Sequence, residues 1–246
     1  MPDLDWNRTV FDRVYNWQAG GEEWSAPWGG SEAQWFGALY PRLHRLLPAR
    51  RILEIAPGFG RWTRFLIPAC SEYLGVDLSA TCVEACRKRF ANSQHARFIQ
   101  NDGISLDGVP DASVDFVFSF DSLVHAEIDV FRAYIPQLLR KLTPAGMAFL
   151  HHSNLAGFDN PDGAANHERA RSVSGREVAN LVAENGGKVV IQERITWDGV
   201  GPIDCLTTFG RAGVNGDKKT VQLVNMTFMQ EAATIRDYQR PYCEIS

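Results

Sequence analysis

Short runs of strand-forming residues alternate with stretches of helical periodicity through the middle of this 246-residue chain, and nothing else in the sequence restricts the fold as strongly. Residues 51–55, 73–76, 96–100, 114–120 and 147–151 are short runs rich in strand-forming residues. Helical stretches separate them near 61–69, 80–91 and 128–142, and another runs from Ser174 to Asn185. Two more strands are expected at 188–195 and 205–210. This order predicts an α/β fold with a doubly wound, mostly parallel, Rossmann-like sheet of seven strands covered on both faces. Ser174 and Glu177 have the spacing of a capping box, and Gly186-Gly187 ends the helix that it starts. Pro136 lies inside the 128–142 pattern, where its missing N–H predicts a kink or a split.

The flanks read as additions to one domain: an N-terminal helical lid over 1–48, a core over 49–211 and a C-terminal extension over 212–246. Five of the seven tryptophans, Trp6, Trp17, Trp24, Trp28 and Trp35, fall in the lid beside Gly20-Gly21 and Gly29-Gly30. An apolar stripe at Trp35, Leu39, Leu43, Leu46 and Leu47 predicts a helix that Pro41 kinks and Pro48 stops. Residues 155–173 read as a polar loop around the turn cluster Asn160-Pro161-Asp162-Gly163. In the extension, Val221, Val224, Phe228, Ala232, Ile235 and Tyr238 suit an amphipathic helix, although the Thr and Val content also allows strand. The extension is expected to pair two copies into a homodimer.

Composition narrows the partners. Twenty-five Lys and Arg stand against 29 Asp and Glu, and the longest basic runs are Arg50-Arg51 and Arg87-Lys88-Arg89, so no clamp for a nucleic-acid backbone is expected. No stretch approaches the roughly 18 apolar residues of a membrane span, and residues 1–13 lack a basic-then-apolar signal pattern. A cytoplasmic protein without a membrane partner is expected. The five scattered cysteines then read as reduced thiols. Cys82 and Cys86 lie four apart, but no second pair or nearby His completes a zinc site.

In an open α/β sheet, ligands lie at the carboxyl ends of the strands where the strand order reverses. The first strand runs into Glu54-Ile55-Ala56-Pro57-Gly58-Phe59-Gly60, whose glycines let the backbone bend and approach a ligand. The second ends in Asp77-Leu78, a carboxylate placed to accept both hydroxyls of a ribose, while Ser79 is available to cap the next helix. The third ends in Asn101-Asp102-Gly103, either a turn or a holder of an adenine amino group. A nicotinamide dinucleotide site would carry a third glycine where this chain has Thr63.

Taken together, 51–211 resembles the class I S-adenosylmethionine-dependent methyltransferases, with Ala56 in place of the first glycine of their acid-x-Gly-x-Gly-x-Gly motif. Asp115-x-Val117-x-Ser119 matches their fourth-strand motif, and Leu142-Thr143-Pro144-Ala145-Gly146 the turn before the fifth strand. The resemblance implies S-adenosylmethionine as cofactor, touched by Glu54, Ala56, Gly58, Gly60, Asp77, Leu78, Asn101, Asp102, Gly103 and Ser119. Aromatic faces attract cations such as a sulfonium, so Trp24 or Trp28 is expected to close over it.

Methyl transfer aligns a nucleophile with the sulfonium methyl and excludes water, and a hydroxyl nucleophile must also lose its proton. His125, in the run 119–127, matches a position where many family members carry a histidine beside the methyl group, and is the expected base. Asp121 is the alternative base, an orienter or a metal ligand. His152 is preferred over His151 because the two alternate sides of a strand and 152 lies nearer its end. A divalent ion such as magnesium, held by Asp121, Glu127 and His152, is a second route to a more acidic hydroxyl. The stretch from Trp24, the run from Asp121 and His151-His152-Ser153-Asn154 resemble bacterial saccharide O-methyltransferases, which implies a sugar or oligosaccharide acceptor. The alternatives are a phenol or natural-product acceptor, or a non-catalytic nucleotide-binding protein.

Overall fold

A computed structural model describes residues 3–158, 168–197, 199, 201–214, 216–239 and 242. The turn cluster 160–163 lies outside these residues. The strands are β1 (Ala49–Ile55), β2 (Cys70–Asp77), β3 (Ala96–Gln100), β4 (Val114–Ser119), β5 (Leu142–Ser153), β6 (Gly187–Ile195), β7 (Asp204–Arg211) and β8 (Val221–Asn225). They form one sheet in the order β3-β2-β1-β4-β5-β7-β6-β8, with β7 antiparallel to both neighbours and every other pair parallel. The order reverses between β1 and β4, which opens a crevice at their carboxyl ends.

Successive side chains along the central strands enter opposite cores. Ile52, Phe116, Phe118 and Phe149 face one layer together with Trp35, Leu39, Leu43, Trp62 and Leu66. Leu53, Ile55, Val117, Ala148 and Leu150 face the other, against Phe131, Ile135 and Leu138. The helices that cover these faces are α1 (Leu4–Thr9), α2 (Ser31–Gln34), α3 (Tyr40–Leu43), α4 (Thr63–Leu66), α5 (Ala80–Arg89), α6 (Ile128–Lys141) and α7 (Gly175–Glu184). Among the described residues no helix is long and apolar enough to cross a membrane.

Three local expectations come out differently. The sheet gains an eighth strand because 221–225 pairs in parallel with β6 instead of forming a helix. The edge of β6 would otherwise lack partners, and the run Val221-Gln222-Leu223-Val224 is strand-prone. Beyond it the extension turns back: Phe228 and Ala232 are fully buried, and a Cβ on Gly37 would sit 2.6 Å from Ala232 Cα. Arg42 fixes that docking, bonding Glu193 at 2.6 and 2.8 Å and Glu231 at 2.6 and 2.8 Å. Second, α6 runs unbroken through Pro136, because the carbonyl that loses its donor belongs to solvent-exposed Arg132. Third, the lid helix expected to run to Pro48 spans only Ser31–Leu43, with a wide π turn at Trp35–Leu39 just before Pro41.

The caps follow the sequence more closely. Ser174 Oγ accepts from the Glu177 N–H at 3.2 Å, while the Glu177 carboxylate takes the Ser174 hydroxyl at 3.0 Å. Ser79 caps α5 by accepting from the Cys82 N–H at 3.1 Å.

Glu54 is buried in the aromatic layer, where it accepts from Thr63 Oγ1 at 2.7 Å and from the Tyr73 hydroxyl. Burial pushes its carboxyl up to about 7, although both hydrogen bonds oppose the shift. A raised acid binds its proton more tightly in the folded state, so its contribution to stability is lost as pH rises from about 4.5 to 7. Glu54→Gln should therefore remove a pH-dependent loss of about 3 kcal/mol. Melting temperatures measured from pH 4 to 8 should fall less with pH in the variant than in the wild type, and parallel curves would refute the assignment.

Candidate active site

A cavity of about 930 Å3, the solvent at its mouth included, opens where β1 and β4 diverge. Its floor is the turn after β1. Ala56 holds φ +55°, a left-handed conformation that favours glycine, and Gly58 follows at φ +58°. Asp77, at the end of β2, reaches under this turn and accepts from the Gly58 N–H at 3.0 Å and the Ser79 N–H at 2.9 Å. Burial raises its carboxyl to about 6 against those bonds. Asn101 spans the end of β3: its amide donates to the Ser105 carbonyl and the Tyr134 hydroxyl, both at 2.9 Å, and its oxygen accepts from the Gly103 N–H at 3.1 Å. Leu78, Gly103 and Tyr134 complete this end.

The lid forms the roof. Leu4 lies over Gly103, where a Cβ would come within 2.8 Å of Leu4 Cδ2. Trp17 stacks on Phe59 at 4.5 Å with an interplanar angle of 3°. Asp12 latches the lid to the start of α5, accepting from Ser79 Oγ at 2.7 Å and the Thr81 N–H at 3.0 Å. Those bonds hold its carboxyl below the usual range, the Thr81 N–H contributing most. Asp12→Ala removes the latch but leaves the α5 cap on Ser79, so S-adenosylhomocysteine, the demethylated form of the cofactor that the resemblance implies, should dissociate about tenfold faster, as expected for one or two net hydrogen bonds. Stopped-flow tryptophan fluorescence reads this rate, and an unchanged rate would show that the lid does not gate release.

The opposite end of the cavity is polar and aromatic. Arg61, 4% exposed, donates to Asp121 Oδ2 at 2.7 Å and Ser25 Oγ at 2.9 Å, and its guanidinium lies 4.6 Å from the Trp62 ring and 5.2 Å from the Trp24 ring. Asp121, just beyond β4, holds φ +60° and lines the cavity beside Phe120 and Ser122.

Ala56, Gly58, Asp77, Leu78, Asn101, Gly103 and Asp121 thus line one cavity, whereas Glu54, Gly60, Asp102, Ser119, Trp28, His125 and His152 lie outside its lining. Strand parity turns Glu54 away from the cavity toward Thr63 and Tyr73, and Ser119 bonds the Ile55 carbonyl at 3.0 Å. A Cβ on Gly60 would meet the Phe90 ring at 2.5 Å, so that glycine serves helix packing. Asp102 accepts from the Ile104 and Ser105 N–H groups at 2.9 and 2.7 Å, as a turn residue does. Of the two tryptophans expected over the cofactor, Trp28 is fully buried, 5.0 Å from Trp197 and 5.9 Å from Phe228, whereas Trp24 lines the cavity together with Trp17.

His125 lies under the lid, its ring 6.2 Å from Trp6 and 5.8 Å from Phe11, with Nδ1 2.9 Å from the Glu168 carbonyl. The packing of the lid around the ring, and then the charge of Arg169, lower it to about 4, so it is neutral at pH 7. His152 is fully buried on the α6 face, 5.6 Å from the Phe131 ring and 2.8 Å from Thr207 Oγ1. It was expected at the end of its strand, but β5 continues to Ser153, and parity puts His151 on the face that carries Phe120. Glu127 accepts from the Arg171 and Ser172 N–H groups at 3.2 and 2.9 Å. Asp121, Glu127 and His152 therefore do not converge, and among the described residues no three His, Cys, Asp or Glu side chains gather as a metal site would need. Arg61 was missed in the sequence, although its place one residue after the glycine turn was a signal.

This cradle suits S-adenosylmethionine. A desolvated carboxylate lies under a glycine turn, an anchored Asn closes one end, and an aromatic roof can face a sulfonium. Residues 52–146 match the family model of a methyltransferase domain. No curated protein matches the chain. Solved structures sharing the fold include an S-adenosylmethionine-dependent methyltransferase from Mesorhizobium loti, at 19% identity over 72% of this chain and 97% of that one, with a TM-score of 0.54. A second is DhpI in complex with SAH, at 20% identity over 86% and 96%, with a TM-score of 0.56. The YcgJ protein of Bacillus subtilis matches at 22% identity and a TM-score of 0.50 over 59% of this chain, which spans 65% of that one. At these identities the likenesses establish the α/β fold. Residues 52–146 thus match a methyltransferase domain, set in an α/β fold whose cavity opens at the strand reversal.

Proposed function

We propose that the chain transfers a methyl group from S-adenosylmethionine to a hydroxyl of a sugar or oligosaccharide. The observation that carries this reading is the pairing of aromatic faces with a buried Arg–Asp couple in the cavity wall: Trp24 and Phe120 beside Arg61 and Asp121. Flat aromatic rings cover the C–H faces of a sugar, and a carboxylate with a guanidinium bonds its hydroxyls. When bound, the cofactor supplies an electrophilic methyl group on a sulfonium. Ala56, Gly58, Asp77, Leu78, Asn101 and Gly103 would hold it, and the lid would exclude water.

Asp121 is the lining carboxylate at the acceptor end, so it accepts the hydroxyl proton while Arg61 fixes its direction. A second reading gives that proton to His125. What favours it is a neutral ring whose Nδ1 bond to the Glu168 carbonyl leaves Nε2 as the basic nitrogen. The same proposal keeps two copies pairing through the C-terminal extension, where β8 ends the sheet with Val221, Leu223 and Val224 about half exposed; sedimentation velocity tests it.

The deciding experiment is transfer of a labelled methyl group to mannosides, other oligosaccharides and phenols, each with and without a chelator. Labelled sugars, indifferent to chelator, are expected. Labelling of phenols alone would move the acceptor to small aromatic molecules, and loss with chelator followed by recovery with magnesium would move the proton step to a metal. Binding of S-adenosylhomocysteine without any turnover would leave a non-catalytic binding protein.

A further inference from the structure

We infer that His151 is a positioning residue that holds the backbone of Asp121 in its active conformation; the inference rests on the proposed role of Asp121 as acceptor-side carboxylate. Asp121 is one of only four non-glycine residues at positive φ among those described. Aspartate tolerates that region better than most residues, but the conformation still costs energy that local contacts offset. The support is visible: the Asp121 N–H donates to His151 Nδ1 at 3.1 Å. His151 is fully buried, stacked on Phe120 at 4.5 Å and on Trp197 at 5.5 Å, so the ring has little freedom to turn.

Accepting at Nδ1 requires that the neutral ring carry its proton on Nε2. Nε2 lies 3.2 Å from Asp204 Oδ2, close but without a well-aligned hydrogen bond to it. Asp204 is fully buried, and Arg169 grips both of its oxygens at 3.1 and 2.9 Å. Burial alone would raise that carboxyl, but the Arg169 guanidinium holds it well below the ordinary range, so it stays an anion. An anion beside Nε2 selects the Nε2–H tautomer, which leaves the Nδ1 lone pair for Asp121. A chain of contacts thus runs from Arg169 through Asp204 and His151 to the Asp121 backbone, and the Asp121 carboxylate meets Arg61 at the cavity wall. His151 has no lining atom in the cavity and acts through Asp121.

Three variants separate this role from packing. The side-chain oxygen of Asn can occupy the place of Nδ1, the amide of Gln can occupy that of Nε2, and Leu provides neither. His151→Leu and His151→Gln should lower kcat roughly 10- to 100-fold by letting the carboxylate drift, with KM for S-adenosylmethionine unchanged. His151→Asn should recover most of that loss. Two readouts need no acceptor. Nitrogen-15 spectra of labelled histidine should place the His151 proton on Nε2, and hydrogen exchange at the Asp121 amide should be slow in the wild type and His151→Asn but fast in His151→Gln and His151→Leu. A proton on Nδ1, or rescue by Gln and not Asn, would overturn the inference. Absence of transfer to any sugar, with tautomer and exchange as expected, would sink the acceptor assignment and leave the positioning intact.

Discussion

Asp121→Asn should reduce methyl transfer to a sugar about 10²- to 10⁴-fold, the range that a positioned base contributes. The substitution isolates charge. Asn has the same size and tolerates the left-handed conformation that Asp121 holds at φ +60°, so the backbone and its bond to His151 should survive. Arg61 keeps Ser25 and the faces of Trp24 and Trp62, but loses its carboxylate. Some loss of thermal stability is therefore expected, because a nearly buried guanidinium is left without its anion. S-adenosylhomocysteine affinity, measured by calorimetry, should change far less than kcat, since Asp77 and Asn101 sit at the ends of strands two and three places from β4 in the sheet. His125→Ala is the matched control, because the ring is outside the lining. If His125→Ala costs about as much as Asp121→Asn was expected to, and Asp121→Asn costs only a few-fold, the proton goes to His125 and the second reading replaces the first.

The strand ends were legible because they follow from period and punctuation. Alternating apolar runs gave the order of elements, and Gly58, Asp77 and Asn101 fell at three successive strand ends of one cavity. Ala56 shows why the position favours glycine, since its φ is +55°. Parity within a strand was harder to read. Glu54 belongs to the motif, yet it points into the aromatic layer, one residue out of phase with Ile55. The choice between His151 and His152 failed for a related reason: the strand extends past both, so nearness to its end decides nothing, and only the face that carries Phe120 does. Trp28 could not be told from Trp17 and Trp24 by spacing, because the three are separated by tertiary packing against Trp197, Phe228 and Phe59. Strand β8 was obscured by residues that satisfy a helical stripe and a strand alike, and the vacant edge of β6 decided between them.

Arg169→Ala should destabilise the fold by about 3–5 kcal/mol, because it leaves the fully buried Asp204 without its cation. For a chain of this size that corresponds to a fall of order 10 °C in melting temperature, at roughly 2–4 °C per kcal/mol. The loss includes the stacking of the guanidinium 4.9 Å from the Trp197 ring. The sign of the pH dependence is fixed. A carboxyl held below its ordinary value contributes stability that is present above that value, about 3.8, and is lost as pH falls through the folded one. The gap between wild type and variant should therefore be full at pH 7 and narrow below about pH 4. A gap of constant size down to pH 3 would show that Arg169 acts through packing and not charge. Replacing both partners with apolar residues, as in Arg169→Met with Asp204→Leu, should cost less stability than Arg169→Ala alone, since no unpaired charge remains. The double variant should nevertheless lose turnover. It removes the anion that keeps the His151 proton on Nε2, so the same pair that costs desolvation inside the sheet also sets the direction in which Asp121 points.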